Sequence, residues 1–207
     1  MSKAPTRVVS RLLRTQNGSI NGSPRIYNVD KNVSFYGYAE VNTQATSPVA
    51  RIKQHKAWFV GNADITEGDL IQDKADNKYY LVMSLKKEVT GSEVAYIDGT
   101  LYYANATCSI ERFAPVSVNA FGREVSAEPS VIAEGVYIMV NSMSMDVDEQ
   151  RDQHIAEEKI KVVVQSKYGA KINDRLVSSN GDVYKVATVD RTQLENLVVL
   201  YVAQDIR

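Results

Sequence analysis

The residues of this 207-residue chain whose types could support chemistry are few: His55 and His154, Cys108, and the acidic run Met145-Asp146-Val147-Asp148-Glu149. A zinc site wants Cys or His at short fixed spacings, and neither histidine has such a neighbour. His55 stands between Gln54 and Lys56 on a basic strand face and His154 in an acidic loop, so both read as solvated side chains. A calcium loop supplies ligands at alternating positions, then a glycine, then a bidentate glutamate. Gln150 stands where that glycine should be, so the acidic run reads as a surface loop, or as an acidic patch that meets a basic patch on a neighbouring copy. The single cysteine excludes an intramolecular disulfide, and Cys108 reads as a small apolar residue on a strand. No glycine-rich phosphate motif and no G-x-S-x-G turn occurs. The expectation is a protein that is not an enzyme, with no catalytic residues, no cofactor and no metal.

What remains is a repeat. Residues 65–85 read ITEGDLIQDKADNKYYLVMSL and residues 170–190 read AKINDRLVSSNGDVYKVATVD. At one offset Asp69 matches Asp174, Ile71 matches Leu176, Tyr79 matches Tyr184 and Leu81 matches Val186. A second match sets Leu101-Tyr102-Tyr103-Ala104 against Leu200-Tyr201-Val202-Ala203. Each copy has a polar turn (Gly68-Asp69, Asn173-Asp174), a short apolar strand, a polar tip and an alternating strand. Asn180-Gly181 between β-branched runs is a strong hairpin signal. Strict alternation would put Tyr79, Leu81, Met83 and Leu85 on one face.

The elements that must carry these turns are almost all strands. The expected fold class is all-β: two small β-barrel-like modules, an extended basic N-terminal arm and at most short helices. The arm is residues 1–25, which contain Lys3, Arg7, Arg11, Arg14 and Arg25 and no acid. Within it residues 4–14 suit a short amphipathic helix that needs a partner surface to be ordered. Residues 26–112 are expected to form the first barrel module, ending on a strand over 101–112, with Gly91 and Asp98-Gly99 marking turns in a longer connection over 86–100. Residues 113–158 are connecting strands and the acidic loop, including a strand over 131–140 interrupted by Gly135 and a short acidic helix or loop before Lys159. Residues 159–207 form a second, shorter β module.

A net charge of −1 gives no global attraction to nucleic acid or membrane, and no stretch approaches a membrane span. Twelve tyrosines against four phenylalanines suit strands and wet interfaces. Beside lysines and arginines on tandem barrels they also suit stacking of single-stranded nucleic acid, a binding function from another class.

Gly68-Asp69-Leu70-Ile71 with Tyr79-Tyr80-Leu81-Val82, repeated by Asn173-Asp174-Arg175-Leu176 with Tyr184-Lys185-Val186, resembles a hairpin of the head–tail connector proteins of tailed bacteriophages. The final strand from Leu197 to Ile206 resembles the way such proteins end, and the likeness covers about half of the chain. The resemblance implies a structural virion protein of the neck or tail region, assembled in the host cytoplasm. It would form a ring that joins portal to tail and helps retain the genome. The partners implied are copies of the chain itself, a portal or adaptor protein on one side and a tail protein on the other, with non-specific contact to packaged DNA and no membrane. The arm residues Lys3, Arg7, Arg11 and Arg14 would bind a partner. A tail-tube or tail-terminator subunit fits the same pattern.

Overall fold

The computed structural model describes residues 24–41, 54–113, 117–118, 124–125, 129–142 and 160–205. The expected helix over 4–14, the basic arm up to residue 23 and the acidic loop with His154 lie outside the described residues. The fold is nearly all β, as expected. The helical element among the described residues is a 3-10 turn at Ser166–Tyr168, closed by Gly169 at φ 61°. None of the described helices is long and apolar enough to cross a membrane.

The chain divides into two compact units, residues 1–105 with 194–197, and residues 106–193 with 198–207. The first unit contains β1 (Ile26–Asn28), β2 (Val33–Phe35), β3 (Gly37–Val41), β4 (Gln54–Val60), β5 (Leu70–Asp73), β6 (Lys78–Thr90) and β7 (Glu93–Tyr103). They form one sheet in the order β2-β1-β5-β6-β7-β4-β3. The outermost strands β2 and β3 are separated in sequence by Tyr36 alone. A single residue cannot cross the width of an open sheet, because neighbouring strands lie about 4.8 Å apart. The sheet therefore curls until its two edges meet at Tyr36, whose carbonyl accepts the Val60 N–H at 3.1 Å. The enclosed core holds Trp58, Phe59, Ile26, Ile71, Ile97 and Leu101.

The second unit contains β8 (Ala106–Arg112), a small hairpin of β9 (Ser117–Val118) and β10 (Glu124–Val125), then β11 (Ser130–Ser142), β12 (Ile160–Gln165), β13 (Arg175–Ser178), β14 (Val183–Asp190) and most of β15 (Leu197–Gln204). Apart from the β9–β10 hairpin, these strands close a barrel in the order β11-β12-β15-β14-β13-β8. Its core is aliphatic, built on Ile110, Val136, Val162, Val164, Val186, Leu200 and Val202.

If β2 and β3 count as one strand bent at Tyr36, both units share one strand order. The first strand pairs the fourth, then follow the fifth, sixth, third and second. The repeat is thus larger than the hairpin that announces it. This moves the expected boundaries. The strand 106–112, assigned above to the end of the first module, is the first strand of the second barrel. The strand around 131–140, assigned to the connection, is that barrel's second strand and bends at Gly135, φ 62°. The second module is therefore not the shorter one. Barrel closure is a long-range pairing, and nothing local to residues 106–112 indicates which barrel they complete.

Alternation also fails where the ladder slips. Tyr80 and Val82 face the core rather than Tyr79, Leu81 and Met83, and a register shift between Val82 and Ser84 brings Leu85 onto the face of Tyr80 and Val82. Gly91 makes the turn expected of it at φ 66°, but Asp98-Gly99 lies inside the continuous strand β7.

Candidate functional site: two aspartate-clamped turns

Each barrel contains one turn that leads into its short fourth strand. In the first, Thr66 to Asp69, the Asp69 N–H donates to the Thr66 carbonyl at 3.2 Å. The Asp69 carboxylate answers by accepting the Thr66 N–H at 2.8 Å, so the turn is closed from both sides. In the second, Lys171 to Asp174, the Asp174 N–H reaches the Lys171 carbonyl at 3.2 Å and its carboxylate accepts the Lys171 N–H at 2.7 Å. The third residue of each turn has positive φ, Gly68 at 89° and Asn173 at 70°. A type II turn requires such a backbone there, and Gly and Asn adopt it at least cost.

The turn then docks on the long strand opposite. Gly68 donates to the Val82 carbonyl at 2.8 Å and Val82 donates back to the Asp69 carbonyl at 2.9 Å. Asn173 and Val186 make the same pair at 2.9 Å, and Val186 returns to Asp174 at 2.8 Å. These pairings fix the true match between the copies. Leu70 faces Leu81 and Ile71 faces Tyr80; Arg175 faces Lys185 and Leu176 faces Tyr184. Tyr80, not Tyr79, is therefore the counterpart of Tyr184, because the second tip is one residue shorter.

Both carboxylates are buried, Asp69 at 8% exposure and Asp174 at 2%, and each is satisfied from the first strand of its own barrel. An ionised carboxylate in such a place needs hydrogen bonds or a counter-charge. Asn28, fully buried on β1, donates to Asp69 at 2.7 Å and to the Asp64 carbonyl at 3.2 Å. Its own carbonyl accepts the Asp30 and Lys31 N–H groups at 3.1 and 3.2 Å, so one side chain ties three segments. Thr66 Oγ1 donates to Asp69 at 2.8 Å, and Lys31 Nζ lies 3.3 Å from it. In the second barrel one residue does this work. Arg112 grips Asp174 with Nε at 2.8 Å and a terminal nitrogen at 2.7 Å, and also reaches the Gly169 carbonyl at 3.0 Å. The hydrogen bond to Asp174 raises the Arg112 pKa further above its usual value. A third buried carboxylate, Asp73, is held by Arg25 through contacts at 2.7, 2.9 and 2.6 Å.

The chemistry of this arrangement is mechanical. The acceptor capacity of Asp69 and Asp174 is taken up by backbone and side-chain donors, which fixes the entry of a strand into a barrel wall. Of the residues singled out from sequence, Gly68, Asp69, Asn173, Asp174 and Tyr184 fall into matching positions. Tyr79 is displaced by its neighbour, and Lys3, Arg7, Arg11 and Arg14 lie outside the described residues. Sequence reading missed Asn28 and Arg112, whose partners are 41 and 62 residues away.

His55 also differs from expectation. It is 7% exposed, packed edge-on to Tyr80 at 5.0 Å and beside Tyr103 at 6.3 Å, and its Nδ1 has no hydrogen-bond partner among the described residues. Burial, helped by nearby Lys78, lowers its pKa. Cys108 is a buried strand residue as expected, and burial pushes its thiol up to about 12. Among the described residues no three His, Cys, Asp or Glu side chains gather as metal ligands.

Comparison of the chain with protein-family models, with curated proteins and with solved structures finds no match.

Proposed function

We propose that the chain is a structural subunit of a homo-oligomeric ring at the head–tail junction of a tailed bacteriophage. It would join portal to tail by shape and help retain the genome. One observation carries the reading: the hairpin that resembles the connector family occurs twice, and each copy is built into a barrel of the same strand order by the same clamped turn. Two barrels on one chain present two separate walls to neighbours, and repeated head-to-tail contacts generate rings. The basic residues Lys3, Arg7, Arg11 and Arg14 form the arm that would bind a partner in that assembly. A tail-tube or tail-terminator subunit is the variant of this reading that keeps the ring and changes its position.

Electron microscopy of the purified full chain tests it. The expected result is annular particles with a central channel. A field of small single particles at every concentration would contradict it.

A second reading has one observation in its favour. On the first barrel Lys74 Nζ lies 5.2 Å from the Tyr27 ring and the Arg25 guanidinium 5.2 Å from the Tyr38 ring, the cation–aromatic pairing that single-strand binders use. Salt-dependent binding of a labelled single strand at micromolar protein would favour it over the ring.

A further inference from the structure

The loops that lead into the two clamped turns lay different side chains on the barrel cores. Residues 61–65 follow β4 and precede the Thr66 turn; residues 166–170 follow β12 and precede the Lys171 turn. They have the same length and the same anchors. Asn28 on β1 donates to the Asp64 carbonyl at 3.2 Å, and Arg112 on β8 donates to the Gly169 carbonyl at 3.0 Å. The next residues, Ile65 and Ala170, are both buried. Ala63 and Tyr168 therefore hold the same place, and each packs against the core of its own barrel.

In the second barrel a phenol ring covers the core at this place. In the first a methyl group does. Asn62 and Asp64, on either side of Ala63, line a cavity of about 330 Å³. Small-molecule sites occupy about 300–1,000 Å³. The apolar lining is Val33, Phe35 and Val60, and the last two are core residues at 7% and 4% exposure. Phe59 braces Phe35 edge-on at 5.7 Å. Ser34, Asn62 and Asp64 are exposed and add a hydroxyl, an amide and a carboxylate. The frame is held by the backbone. The Val60 N–H donates to the Tyr36 carbonyl at 3.1 Å, and the Ala63 N–H to the Val60 carbonyl at 3.0 Å. Lys31 binds one Asp64 oxygen at 2.8 Å, and the other oxygen has no partner among the described residues.

We propose that this cavity binds a phenolic ring from outside the chain, in the place that Tyr168 fills from within the second barrel. The ring lies against Phe35 and the valines, and its hydroxyl donates to the open oxygen of Asp64 beside the Asn62 amide. An apolar body with a polar tip is the shape this lining suits. A sugar, hydroxylated all round, would leave polar groups unpaired against Val33, Phe35 and Val60. The site stands whether or not copies of the chain assemble.

The test titrates the isotope-labelled 207-residue chain with p-cresol and follows its amide resonances. Saturable shifts are expected at Val60 and at the backbone and side-chain amides of Asn62, half-complete at about 1 mM, with residues 166–170 unmoved. Ala63→Tyr supplies the ring from within and is expected to weaken p-cresol by about tenfold or more. Asp64→Ala lies at an exposed position and keeps the carbonyl that Asn28 holds, so the fold is retained; p-cresol is expected to bind about fivefold more weakly. N-acetyltyrosinamide separates the sources. Binding tighter than p-cresol identifies the tyrosyl side chain of a partner, and weaker binding a free phenol; both support the site. No saturable shift up to about 20 mM p-cresol, unchanged affinity in Asp64→Ala, or saturable binding of glucose in place of p-cresol overturns it.

Discussion

Asp69 and Asp174 hold the same place in two barrels. Each carboxylate accepts the backbone N–H of the residue three positions earlier, at 2.8 and 2.7 Å, and each following short strand pairs with a long one in the same register. Yet the two are satisfied differently. Asp69 leans on neutral Asn28 with Lys31 at 3.3 Å, whereas Asp174 is gripped by the Arg112 fork.

That difference sets the first prediction. Asp174→Asn weakens charge-assisted bonds to a guanidinium that is 30% exposed, and one amide nitrogen then faces a donor. A loss of about 2 kcal/mol is expected. Arg112→Lys is expected to lose part of this, because an ammonium cannot reproduce the fork. Urea unfolding monitored by circular dichroism measures both; unchanged midpoints would show that the clamp does not hold the turn.

The positive φ at Asn173 gives the second. Asn173→Gly is expected to be neutral to within about 0.5 kcal/mol, since glycine adopts φ 70° freely. Asn173→Val is expected to cost about 2 kcal/mol, because a β-branched side chain is strained there. The pair of thermal midpoints separates backbone strain from loss of the amide side chain. Equal midpoints for the two variants would contradict the turn assignment.

His55 gives the third. An unfolded histidine titrates near 6.5, and the folded one titrates lower because burial opposes its charge. The unfolded chain therefore binds the proton first, and His55 reduces stability as pH falls through about 6.5. Lys78 lowers the pKa further and Asp76 raises it. His55→Phe, which keeps the ring against Tyr80, is expected to flatten the decline in stability between pH 7 and pH 5. An equal decline in both proteins would show that His55 is not its source.

The hairpins were legible because turn chemistry is local. Gly68-Asp69, Asn173-Asp174 and the Asn180-Gly181 tip mark their own geometry, and Gly181 has φ 89°. Where the pattern was counted beyond a tip it slipped by one residue, since neither the shorter second tip nor the shift after Val82 leaves a mark in alternation. The closing strands were illegible for another reason. Ile26 finds Asp73, and Ile110 finds Ala133 and Leu176, only through pairings distant in sequence. Arg112 in sequence is one more charge at the end of a strand, and only the closed barrel brings it to Asp174. His55, flanked by Gln54 and Lys56, looks solvated until Tyr80 and Tyr103 pack against it from two other strands.

The proposed ring requires copies of this chain to associate in a fixed number. Native mass spectrometry of this 207-residue chain over a range of concentrations and salt measures that number. The expected spectrum is one dominant species at a fixed whole-number multiple of 23.0 kDa. A single peak at 23.0 kDa under all conditions would contradict the account.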